Sequence, residues 1–119
     1  MATEFQLLKE RLANMMIDAD THHVHDQRKI DLVYNIFRTI ETNPTILAFP
    51  RFRECVSQKI VEISVYDQTH ANHYEPSIAN SMMRLLLCMA NITNIIMVCE
   101  RVERRVREER LAQERPHEG

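Results

Sequence analysis

The sequence predicts an all-α fold: a four-helix, antiparallel, bundle-like domain whose last helix runs past the body. Three observations carry this expectation. Apolar residues recur at steps of three and four along most of the chain, which is the helical period. The only glycine is Gly119, so the positive-φ turns that close tight hairpins have no residue to make them. From Pro76 to about Gln113 no proline or glycine interrupts the chain.

Each helix can be placed from its own signals. Thr3 and Gln6 form a capping-box pattern, and Phe5, Leu8, Leu12 and Met15 then mark one face of a first helix. The polar run from Asp18 to His25 ends it. Asp26 is a good N-cap for a second helix, whose buried face is Ile30, Val33, Phe37 and Ile40. Asn43-Pro44 stops that helix, because a residue before proline avoids the α region. A short linking turn is expected near residues 45–49. Pro50 suits the first turn of a third helix carrying Phe52, Val56, Ile60 and Ile63 inward, with Cys55 beside them. Asp67 to Glu75 reads as loop. Pro76 opens the last helix, expected to be roughly 37 residues or about 55 Å long. A body of this size is only about 35 Å across.

The last helix has two halves. Residues 82–99 are apolar on nearly every side, with one seam through Met82, Leu85, Met89, Ile92, Ile96 and Cys99. Such a helix is buried on several sides, as the centre of a bundle or as an oligomer core. A membrane span is disfavoured, since about 20 apolar residues are needed and Asn91, Thr93 and Asn94 break the run. Residues 100–115 hold six Arg and five Glu. Glu100 with Arg104 and Glu103 with Arg107 stand at the favourable i, i+4 spacing. The expected organisation is therefore a helical core over residues 1–99 and a charged helix extension with a short tail over 100–119.

Composition removes several functions. Without internal glycine there is no phosphate-cradling loop or dinucleotide-binding turn. No nucleophile or metalloprotease motif is present, and no catalytic residue or cofactor is expected. The net charge of −2 gives no global attraction for nucleic acid. Duplex RNA could still meet Arg51, Arg53 or the tail, but the tail nets only one positive charge and has no aromatic platform. Twelve Arg against three Lys suit planar, bidentate contacts. Cys55, Cys88 and Cys99 lie in apolar stretches and read as buried, reduced thiols. With no secretory signal pattern, an intracellular setting is expected.

The expected role is protein–protein interaction or assembly, with a protein partner or a second copy as the bound species. The residues expected to carry it are Val102, Val106, Leu111, Arg101 and Arg105, joined by Met82, Leu86 and Met89 if the last helix is only partly covered. Val102, Val106 and Leu111 continue a thin stripe suited to a partner helix or short coiled coil. A separate expectation concerns His22, His25, His70 and His73. Their two loops fall at one end of an up-down-up-down bundle, where four imidazoles could hold zinc or respond to pH.

Overall fold

The computed structural model describes residues 3–19 and 24–114. Helix α1 spans Glu4–Asp18, α2 Gln27–Thr42, α3 Pro50–His70 and α4 Pro76–Glu114. Short 3-10 segments at Pro44–Ala48 and Ala71–His73 connect α2 to α3 and α3 to α4. There is no strand among the described residues. No described residue takes a positive φ, so the chain reverses direction without the conformation that glycine supplies.

The ends of the helices follow their local chemistry. The Thr3 hydroxyl accepts from the Gln6 amide at 3.1 Å while the Gln6 side chain accepts from the Thr3 amide at 3.2 Å. Asp26 accepts from the Arg28 amide at 2.9 Å and starts α2. Asn43 closes α2, its side-chain amide donating to the Thr39 carbonyl at 3.0 Å, just before Pro44 forbids a further turn. Pro50 and Pro76 sit in first turns, where a missing amide proton costs nothing. The loop expected over 67–75 is shorter than the sequence suggested. α3 continues to His70, because Thr69 and His70 bond back to the Tyr66 carbonyl in the last turn.

Side-chain contacts fix the helix directions. Gln27 donates to Ser81 at 2.8 Å and Asn91 donates to Glu41 at 3.0 Å, so α2 and α4 run the same way. Lys9 stands over the Phe49 ring while Lys59 donates to the Ala19 carbonyl, so α1 and α3 run the same way. His25 at the start of α2 meets Tyr66 near the end of α3, which sets the two pairs antiparallel. The order is up-down-up-down.

The core lies chiefly between α2 and α4. Ile30, Ile36, Phe37 and Ile40 from α2 meet Met82, Leu85, Met89 and Ile92 from α4, all essentially fully buried. Ile46 and Leu47 of the first 3-10 segment fill the gap beside α3. The other helices do not enclose α4, as a central bundle helix would be enclosed. α2, α3 and the 3-10 segment meet its inner side, and α1 packs mainly on α2. The result is a slab of 69 × 38 × 20 Å with a radius of gyration of 17.9 Å. A compact chain of this length would have about 13–14 Å. The excess is the reach of α4.

Candidate functional site

The arrangement of α4 follows from its angular pattern. At 100° per residue, Met82, Leu85, Met89, Ile92 and Ile96 fall on one side and are buried. Met83, Leu87, Ala90, Asn94 and Met97 fall on the opposite side and are exposed, with Val98 next to them. Only 33% of the most apolar 18-residue stretch of α4 is buried. By length and composition alone this helix could cross a membrane, yet its inner side is committed to α2. Seven of the twelve large exposed apolar residues of the described chain belong to α4, each between 48% and 60% exposed.

The expected site residues divide along this line. Met82 and Met89 are buried core residues and do not reach the outer surface. The outer positions are their sequence neighbours Met83 and Ala90, with Leu87 between them. Leu86 is half-buried against the core. Val102 and Val106 are exposed and line a shallow groove with Glu103, Arg107 and Arg110. Leu111 is exposed too, but at 100° per residue it lies well round the helix from Val106, so the three do not form one stripe. Arg101 and Arg105 are exposed. The 4-3-4 spacing of Met83, Leu87, Ala90 and Asn94 was the signal available for the outer face. It stands alternately one and two residues out of step with the inner seam.

One ion pair fixes where the body ends on α4. Arg53 is nearly buried, donates from Nη1 to the Leu47 carbonyl at 2.9 Å, and reaches Glu103 Oε1 at 3.0 Å and Oε2 at 2.6 Å through its two amino groups. This is a bidentate, charge-assisted contact. Hydrogen bonding to Arg53 holds the Glu103 carboxyl below the usual carboxylate range, and the same bond raises Arg53. The sequence pairs Glu103 with Arg107 along its own helix; the structure adds the bidentate contact across to α3, with Arg107 also helping to lower the Glu103 carboxyl. α4 is continuous through residue 100, and its attachment to the body extends to Glu103. Arg53 is also withdrawn from any phosphate, since its guanidinium is already engaged.

His25 of the first histidine loop lies at the same end of the molecule as His70 and His73 of the second. His25 Nδ1 lies 2.8 Å from the Tyr66 hydroxyl, and the Tyr66 ring stacks on His70 with centroids 3.9 Å apart. His70 and His73 centroids are 6.2 Å apart. Tyr66 contacts both His25 and His70. His70 Nδ1 is within 3.0 Å of the Tyr66 carbonyl and 2.7 Å of the Thr69 hydroxyl. No group of three metal-ligating side chains is assembled among the described residues. His22 lies outside the described residues.

The thiols differ from one another, contrary to the expectation that all are buried. Cys88 is buried, and burial beside Glu41 pushes its thiol up to about 11. Cys99 is half-buried. Cys55 is exposed, on the wall of an apolar groove of about 520 Å³ between α1 and α3 lined by Ala13, Ile17, Phe49 and Phe52. It escapes burial because α1 stands off from α3 there. A thiol reagent at neutral pH is expected to label Cys55 fastest, Cys99 more slowly and Cys88 only on unfolding. Mass mapping of the labelled sites checks the order, and early labelling of Cys88 would contradict the packing described.

Compared with known protein families, curated proteins and solved structures, the chain matches none.

Proposed function

We propose that this chain is a non-enzymatic assembly subunit that docks onto protein through its long last helix. The observation that carries this reading is the division of α4: one side built into the core, the other carrying Met83, Leu87, Met97 and Val98 uncovered over the same residues, with Asn94 among them. Scattered apolar residues on a surface are ordinary, whereas a continuous apolar strip is a mark of association. The tail adds a second surface. Val102 and Val106 form an apolar ridge bordered by Arg101, Arg105 and Glu103, and arginines beside an apolar strip favour protein interfaces. The charge balance of the tail and the engagement of Arg53 support protein over nucleic acid as the bound class.

The test is the size of the tagged full chain in extracts of its source cells. Gel filtration is expected to show it well above its own 14.1 kDa. Val102→Asp with Val106→Asp is expected to shift it to a smaller species with unchanged helical circular dichroism, because both side chains are already exposed. Elution of the wild-type chain at its own mass would contradict the reading. Unchanged elution of the double variant would remove the tail ridge from the docking surface.

A further inference from the structure

The outer strip of α4 has a coiled-coil register. Met83, Leu87, Ala90, Asn94 and Met97 follow one another in steps of four, three, four and three, and all are exposed. This spacing keeps one seam facing a neighbouring helix. The same steps continue along the tail through Arg101, Arg104, Glu108 and Leu111, also exposed. We infer that this seam binds a second copy of the chain, α4 against α4 and antiparallel, with Ala90 of each copy opposite Asn94 of the other. The inference rests on the assembly reading and names its partner.

The residues of the seam select both the partner and the direction. A parallel pair would place Arg101, Arg104 and Glu108 each against its own copy, with like charges facing at three successive levels. The antiparallel pair removes all three repulsions. Its levels then match Leu87 with Met97, and Ala90 with Asn94, each pair occurring twice about the two-fold axis. The small Ala90 leaves room for the Asn94 amide. Further out, Met83 meets the aliphatic stem of Arg101, which can lie along apolar surface with its charge in water. Arg104 meets Asn80. Glu108 meets the start of α4 of the other copy, where the helix dipole favours a carboxylate. A patch that complements itself in this way is what a two-fold contact between identical chains requires.

Met83, Leu87 and Met97 are each more than half exposed, and a specific contact between copies needs on the order of 1,000 Å² buried in total. The body packs chiefly on the inner side of α4, and only Leu87 of the seam borders a groove shared with Tyr34 and Arg38 of α2.

Disulfide trapping tests the register. In full chains carrying Cys55→Ser and Cys99→Ala, Leu87→Cys in one copy is mixed with Met97→Cys in another. Mild oxidation is expected to join the two different chains in large excess over either like pair. A dominant 87–87 or 97–97 product, or no product, would overturn the antiparallel pair. In parallel, Leu87→Asp with Met97→Asp is expected to give a single chain by sedimentation with unchanged circular dichroism, since both positions are exposed. A variant that still pairs overturns the seam. A purified wild-type chain that stays single while remaining large in cell extracts overturns the second copy but leaves the assembly reading standing. A chain that is single in both settings removes both.

Discussion

Phe37→Ala is expected to cost about 3–5 kcal/mol, the range for removing a buried aromatic side chain. Phe37 is 0% exposed and sits on α2, the helix on which α4 is laid. The chain has few aromatic residues to share its load: no Trp and four Phe. The Ala variant would leave a cavity bounded by the aliphatic side chains of α2 and α4, and close packing lets it collapse only in part. A domain of this size has about 5–15 kcal/mol in total, so the loss is a large share. Urea denaturation followed by circular dichroism measures it. Val61→Ala, on the exposed side of α3, serves as the control and should stay within about 0.5 kcal/mol of the parent. Equal losses for the two would contradict the placement of the core between α2 and α4.

The second large effect is an asymmetry across the Arg53–Glu103 pair. Glu103→Ala leaves a guanidinium only 8% exposed with the Leu47 carbonyl as its remaining partner. Arg53→Met removes the cation and leaves a carboxylate 40% exposed, which water can solvate. Uncompensated buried charge is the costly outcome. Glu103→Ala is therefore expected to lower the Tm by several degrees and Arg53→Met by less. The pH dependence follows from the depressed carboxyl of Glu103. A carboxyl lowered in the folded state contributes its stability above the ordinary carboxylate value, and that contribution is lost as pH falls through the lowered value. Arg53 stays charged throughout. The melting temperatures of the parent and of Glu103→Gln should thus differ at neutral pH and converge in acid. A gap that widens in acid would contradict the pair as described.

Much of the fold can be read from periodicity and caps. Thr3, Asp26, Asn43-Pro44, Pro50 and Pro76 mark helix ends because each acts on the backbone within one turn, and such effects are local. The inner seam of α4 is equally legible, since burial at steps of three and four leaves a direct trace. What sequence could not settle is which side of an all-round apolar helix the body covers. That depends on how α2 and α3 approach it, a non-local matter. Periodicity alone therefore does not separate Met82 and Met89, which are buried, from Met83 and Ala90, which are exposed. Glu103 shows the same limit. Its i, i+4 partner Arg107 is visible in sequence, but a bidentate Arg53 fifty residues away is not. His25 lies beside His70 as the alternation of helix directions implies, although Tyr66 between them carries no sequence signal.

The central proposal for α4 is an outer seam completed by a second copy of the chain. Light scattering on the purified full chain across a tenfold concentration range tests this most directly. The expected result is a species of twice 14.1 kDa that gives way to the single chain on dilution and in the Leu87→Asp, Met97→Asp variant. A mass of 14.1 kDa at every concentration would contradict it.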